Sequence, residues 1–398
     1  MTERALAHLR VIDLTHHVAG PYCTKLLAGF GAEVIKVERP GSGDPLRSMG
    51  PFYQGVEGPE RSIPFLWLNT GKKSITLDLK SDRGREILCR LVRDADVLVE
   101  NFSPRVLPAL GLAWQRLQEI NPSLVMASIS NYGQDGPYRD YKGDEISLYA
   151  MSGLMNETGD PGREPLRAGP ALAQYSAGMC AYSAILAALH RRQQTGKGEH
   201  LDISIQEASL VNIEMGLVES LQLGTVRRRT GDQHSMMPWQ HYECADGEVA
   251  VISGPIRHWR KAKKIFDEPR LFQDKYDHCL VRRFLRDEYE EILRPCVKKF
   301  RKKELFHAGQ EQGLAFAYLA TLEEAVELPQ HRARGFFQEV DHPVVGRHAY
   351  CGAPFRMSAT PWRQERAPLL AEHNAEVYGR LLGFSDGEIQ AMEEEGIL

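Results

Sequence analysis

Val11-Ile-Asp-Leu14 and Glu33-Val-Ile-Lys-Val-Glu38, with the run between Pro21 and Gly31 that joins them, decide the fold. The two outer stretches are short, apolar and rich in β-branched residues, which suits buried strands. The joining run carries Leu26, Leu27 and Phe30 at helical density, with a proline at its start and a glycine at its end. Strand, helix and strand in about thirty residues make one parallel βαβ unit. The alternation continues outward. A helix over 84–93 leads to a strand at Asp96-Val-Leu-Val99, and a helix over 112–120 leads to a strand at Ser123-Leu-Val-Met-Ala-Ser-Ile129. Small and apolar residues over 171–192 predict a buried helix, stopped by Gln194-Thr-Gly-Lys-Gly198, after which His200-Leu-Asp-Ile-Ser-Ile205 alternates as a half-buried strand. The fold class is α/β, a Rossmann-like, doubly wound parallel sheet.

Arg227-Arg-Arg-Thr-Gly-Asp232 breaks this pattern. The expected division is a large domain over 1–230, a smaller α/β domain over 231–341, and a segment over 342–398 returning to the large domain. The smaller domain is expected to hold a strand at Gly247-Glu-Val-Ala-Val-Ile-Ser253 and a basic helix at Val297-Lys-Lys-Phe-Arg-Lys-Lys-Glu304. That helix is charged all round and lacks interleaved aromatic residues, so it reads as a solvated surface and not as a nucleic-acid face.

With 398 residues, 42% hydrophobic and 26% charged, the chain can bury two or three cores. A formal net charge of −4 gives no general attraction to nucleic acid, and the apolar run AYSAILAAL over 181–189 is too short to span a bilayer. MTERALAHLR has charges but no apolar stretch after them, so no secretory signal is expected. The seven cysteines are scattered without a C-x-x-C pair, which argues against a disulfide framework and a zinc site and for a reducing cytoplasm.

Three polar residues follow predicted strands: His16, Arg39 and Asn101. In open parallel sheets that edge binds ligands. Lys72, Lys73, Lys80 and Lys142 add cations suited to a phosphorylated ligand. Gly41-Ser-Gly-Asp44 does not extend to a dinucleotide fingerprint, and no Walker, H-E-x-x-H or G-x-S-x-G motif occurs. His16 and His17 are adjacent, a spacing that suits no metal pair, so no metal is expected.

Several segments carry a family resemblance: 11–21 (VIDLTHHVAGP), 31–44 (GAEVIKVERPGSGD), 72–80 (KKSITLDLK), 99–102 (VENF), 132–137 (YGQDGP) and 195–202 (TGKGEHLD). Together with Pro165-Leu-Arg-Ala-Gly-Pro-Ala-Leu-Ala-Gln-Tyr-Ser-Ala-Gly178, the chain resembles the class III CoA-transferases, the formyl-CoA transferase and carnitine CoA-transferase family. The resemblance implies coenzyme A or an acyl-CoA as substrate, with no metal, and two chains threaded like linked rings. It places His16, Arg39, Leu77, Lys80, Asn101, Phe102, Val106 and Lys142 at the CoA site. Ala109 stands where some members have a cation, and Arg105 could take that part.

The chemical positions depart from the family. Gln174 stands where members carry the nucleophilic Asp, and a carboxamide has no ionisable oxygen to attack a thioester. Val18 replaces an orienting glutamine, and no glycine-rich lid is visible between Ile252 and Trp259. The bland reading of Gln174 is an ordinary hydrogen-bonded helix residue. Glu145 matches a carboxylate position near the active site of members and reads equally as an acid or base, with Asp144 beside it, or as an ion-paired surface carboxylate.

Three functions follow as expectations. The first is the non-catalytic, Asp-lacking subunit of a heteromeric CoA-transferase such as benzylsuccinate CoA-transferase, moving CoA from an acyl-CoA such as succinyl-CoA to a carboxylic acid such as an aromatic succinate. Its partner would be a homologous Asp-bearing subunit. The second is a self-sufficient acyl-CoA isomerase, racemase or lyase using Glu145 or Asp144. The third is a non-enzymatic CoA-binding regulatory protein. Nucleic acid and membrane are not expected partners.

Overall fold

A computed structural model describes residues 4–234 and 236–398. The chain opens with β1 (Arg10–Asp13), α1 (Ala19–Gly29) and β2 (Glu33–Glu38). It continues through β3 (Lys73–Thr76), α2 (Asp82–Arg93), β4 (Val97–Glu100), α3 (Trp114–Ile120) and β5 (Val125–Ser130). Helices α4 (Glu145–Met151) and α5 (Leu172–Thr195) precede β6 (Glu199–Ser204). The six strands form one parallel sheet in the order β3-β2-β1-β4-β5-β6, with Ile12 paired to Ile35 on one side and Leu98 on the other. This is the doubly wound topology, whose order reverses between β1 and β4.

Both faces of the sheet are covered, which is why its strands read as unbroken apolar runs. Ile12, Ile35 and Leu98 face a core closed by Leu88 and Leu91 of α2 and by Tyr378 and Met392 near the C-terminus. Val11, Val34 and Val97 face the opposite core, closed by α1 and α5. Helix α5 contributes small residues there: Ala173, Ala177 and Ala181 are fully buried. A Cβ on Gly178 would stand 2.6 Å from the Ala19 carbonyl oxygen, so only glycine permits this approach of the two helices. By length and composition α5 could cross a membrane, but the face carrying these small residues is buried in the protein core.

The C-terminal segment protects the edge strand β3. The Asn374 carboxamide accepts from the Thr76 N–H at 3.0 Å and donates to the Thr76 hydroxyl at 2.9 Å, and the Tyr378 hydroxyl donates to the Thr76 carbonyl at 2.6 Å. An edge so covered offers nothing to another strand.

Beneath the carboxyl ends of β1 to β3 lies a set of wholly buried charges. Asp13 accepts hydrogen bonds from the Thr15 and Thr24 hydroxyls and from Lys72 Nζ at 2.9 Å. Lys36 pairs with Asp44 at 2.7 Å and donates to the Thr15 carbonyl. Glu38 holds Arg47 through both of its oxygens, at 2.7 and 2.9 Å. Burial pushes the Asp13 carboxyl up, but Lys72, Lys36 and the two hydroxyls outweigh it and hold it well below the usual carboxylate range.

The chain forms two compact units. The larger comprises the residues up to Leu154, Arg167–Gly224 and His331–Leu398; the smaller comprises Met155–Leu166 and Thr225–Gln330. The expected divisions at 230 and 341 differ from these: the chain changes unit at 224/225 and 330/331, and 155–166 joins the smaller unit. Within the smaller unit β7 (Trp239–Cys244), β8 (Gly247–Ile252) and β9 (Ala317–Tyr318) form an antiparallel sheet. Helices α6 (Ile256–Phe266), α7 (Arg286–Val297) and α8 (Lys302–Glu311) flank it. The expected basic helix over 297–304 is not one element: α7 ends at Val297 and α8 begins at Lys302.

Asp13→Asn leaves Lys72 buried without its counter-ion and is expected to cost about 3–5 kcal/mol. Urea unfolding should show a lower midpoint with an unchanged slope. Asp13→Asn combined with Lys72→Met should cost less than Asp13→Asn alone.

Candidate active site

The reversal of strand order between β1 and β4 opens a crevice at their carboxyl ends, and the residues after each strand line it. The Asn101 carboxamide ties the two loops together. Its Nδ2 donates to the His16 carbonyl at 2.7 Å and its Oδ1 accepts from the His16 N–H at 2.8 Å. The His16 ring meets Phe102 edge-on, with centroids 5.4 Å apart. Burial, reinforced by Lys36, lowers the His16 imidazole to about 4, so it is neutral at physiological pH.

A cavity of about 460 Å³ opens here, and six of the eight residues expected to bind CoA line it: His16, Arg39, Leu77, Lys80, Phe102 and Val106. Leu77 and Phe102 supply apolar walls, and Arg39 and Lys80 are exposed cations at the rim. A second cavity of about 410 Å³ shares Phe102 and holds Asn101, Val18, Asp144 and Gln174. The two cavities therefore meet at one aromatic side chain.

The other expected cations behave differently. Lys142 is exposed and lines neither cavity, although its neighbours Tyr141 and Gly143 line the second. Lys72 is consumed by Asp13, and Lys73 pairs with Glu33 at 2.6 Å and Glu376 at 2.8 Å. Neither is available to a ligand. Arg105 pairs with Asp140 at 3.2 Å and also lines neither cavity.

Gln174 lies in the first turn of α5, partly exposed, and its carboxamide makes no hydrogen bond among the described residues. Glu145 is not a surface carboxylate. It is buried, and its oxygens accept from the Ala173 N–H at 2.9 Å and the Gln174 N–H at 3.3 Å. Those N–H groups belong to the first turn of α5, which has no partner for them within the helix. Glu145 therefore caps the helix that presents Gln174 and does not line the second cavity. Asp144 does line it, while also accepting from the Glu145 N–H at 2.7 Å as the cap of α4.

Glu100 escaped the sequence reading. It ends β4 directly before Asn101 and Phe102, is buried, and accepts from the Phe102 N–H at 2.8 Å. Burial raises its carboxyl to about 7, with Ser128 and the Phe102 N–H opposing. The only signal available was its place in Val99-Glu-Asn-Phe102. No group of three His, Cys, Asp or Glu side chains suited to a metal occurs among the described residues.

The fold defines a doubly wound α/β protein with two adjoining cavities at the carboxyl ends of its strands. The family model for CoA-transferase family III matches residues 6–374, and the chain belongs to that family. It is 34% identical to succinyl-CoA–D-citramalate CoA-transferase of Chloroflexus aurantiacus, over 99% of this chain and 98% of that one. Identity is 32% to succinyl-CoA:glutarate CoA-transferase of Homo sapiens, over 99% and 90% of the two chains. Formyl-CoA:oxalate CoA-transferase of Streptomyces coelicolor is likewise 32% identical, over the whole of both. A crystal structure of a CAIB/BAIF family protein from Brucella suis superposes with a TM-score of 0.86 at 30% identity, covering 95% of this chain and 99% of that one. The activity class is transfer of CoA between an acyl-CoA and a carboxylic acid, with acyl-CoA as substrate.

Because Glu100 is raised from about 4.5 to about 7 by folding, its charging opposes the native state. The group destabilises the protein progressively as pH rises from 4.5 to 7 and not below. Glu100→Gln should flatten the measured stability over that window, removing a slope of up to about 1.4 kcal/mol per pH unit.

Proposed function

We propose that this chain is the nucleophile-lacking subunit of a heteromeric class III CoA-transferase whose partner is a homologous Asp-bearing chain. One observation carries the reading: Gln174, at the position where the family resemblance expects the nucleophile, lines the cavity that adjoins the ligand crevice. A transferase carboxylate attacks the acyl carbon of the thioester, the C–S bond breaks, and CoA leaves as its thiolate. The neutral carboxamide of Gln174 cannot begin that sequence. Glu145 cannot replace it, since both oxygens are turned to α5.

The binding half of the site, by contrast, keeps six of its eight expected residues around one cavity. His16, Arg39, Leu77, Lys80, Phe102 and Val106 suit CoA, with Arg39 and Lys80 facing its diphosphate and the Phe102 junction leading its pantetheine arm toward Gln174. The smaller unit has no glycine-rich lid after β8, because only Ser253, Gly254 and Pro255 separate that strand from α6. A partner surface is supported by the helix Glu214–Leu223 and its flank, where Val211, Met215, Leu221 and Leu223 are between 54% and 77% exposed. The chain leaves the larger unit at Gly224 and returns at His331, a layout compatible with linked rings. The donor is taken as succinyl-CoA and the acceptor as a carboxylic acid such as an aromatic succinate.

A second reading, an acyl-CoA isomerase or lyase that moves protons through Asp144, is favoured by the one fact that Asp144 lines the cavity with Gln174. Deuterium uptake into acyl-CoA by the isolated chain would select it over the first.

Expression alone and with an Asp-bearing paralogue tests the proposal. The isolated chain should bind CoA yet transfer it at least about 10⁴-fold more slowly than the paired preparation. Gln174→Asp should create a site where hydroxylamine or borohydride traps an acyl-enzyme adduct on this chain. Full transferase activity from the unaltered chain alone would overturn the proposal.

A further inference from the structure

A third cavity, a groove of about 740 Å³ between α2, α3 and the segment 109–112, shares Leu110 with the crevice and no residue with the cavity of Gln174. Four arginines line it: Arg85, Arg90 and Arg93 from α2, and Arg116 from α3. Leu110 lines both this groove and the cavity holding Arg39 and Lys80. Arg85 strengthens the join by donating to the Lys80 carbonyl at 2.6 Å and to the Leu79 carbonyl at 3.3 Å, both residues of that cavity.

The groove carries surplus positive charge. Its four arginines outnumber its two carboxylates, Asp82, which pairs with Arg85, and Glu86, which meets Arg83 in an exposed contact at 3.2 Å. Arg90 donates to the Leu382 carbonyl and lies 4.3 Å over the Phe384 ring. Arg93 has no carboxylate partner among the described residues. Arg116 meets only Glu119 in an exposed pair at 3.2 Å, a contact of little strength in water. Ala109, whose side chain is a single methyl group, lines the groove beside Leu110.

We infer that this groove is a subsite for the 3′-phosphate of the CoA nucleotide, held by Arg93 and Arg116. The inference rests on the CoA reading of the adjoining cavity. CoA has three phosphate groups, and that cavity offers only Arg39 and Lys80, enough for the diphosphate. With the thioester end directed through Phe102 toward Gln174, the nucleotide end points to the Leu110 wall. A phosphomonoester there meets planar guanidinium donors that can hold it by two hydrogen bonds each. The cation missing at position 109 is thus replaced from the neighbouring helices and not by Arg105, which lines neither that cavity nor the groove.

Calorimetry of the full chain with CoA and with 3′-dephospho-CoA tests this. CoA should bind at least about tenfold more tightly. Arg93→Ala with Arg116→Ala should erase the preference to within about twofold while leaving 3′-dephospho-CoA affinity and thermal stability unchanged. Arg105→Ala should preserve it. Equal affinity of the unaltered chain for the two nucleotides, equal weakening of both by the double variant, or a preference that depends on Arg105 would overturn the subsite alone. Failure to bind either nucleotide would overturn the CoA reading together with it.

Discussion

The buried contact between Asp13 and Lys72 is the constraint on which the rest of the structure turns. Neither side chain touches water, and each would be intolerable there without the other. By pinning Lys72, Asp13 fixes the approach to β3, and by holding the Thr15 and Thr24 hydroxyls it sets the path of the chain from β1 into α1. The Lys36–Asp44 and Glu38–Arg47 pairs do the same for the loop after β2. The loops that carry His16 and Arg39 therefore leave a rigid floor, and the crevice above it is shaped before any ligand arrives. Burying this many charges adds little net stability, but it leaves few alternative arrangements for the strand ends.

The sheet was legible in the sequence because parallel strands covered on both faces must be apolar throughout, and Val11 to Leu14 and Glu33 to Glu38 satisfy that locally. Strand β3 was not, since Lys72 and Lys73 at its start looked like cations awaiting a ligand. Their carboxylates lie 59 and 303 residues away in the chain, a distance no local pattern spans. The basic run at 297–304 misled for a related reason: charge marks exposure, not where a helix stops. Its break falls between Val297 and Lys302.

The site divides along the same line. Residues that follow strands, His16, Arg39 and Asn101, are placed by topology, and topology could be read. The cap that Glu145 makes on α5 joins the first turns of two helices 28 residues apart, and nothing in either turn announces it. Lys142 was expected at the ligand because of the resemblance, yet its neighbours Tyr141 and Gly143 line the second cavity and it lines neither. The identity of Gln174 was visible at once; that it lines a cavity adjoining the crevice is set by the packing of α5, which the sequence does not display.

The last turn of the chain sits in the first core. The Asp78 N–H donates to the Ile397 carbonyl at 2.7 Å, and the side chain of Leu398 is buried beside it. The core on that face of the sheet is therefore closed by residues translated long after its six strands, so the strands can pair early yet keep an apolar face open until this later segment docks.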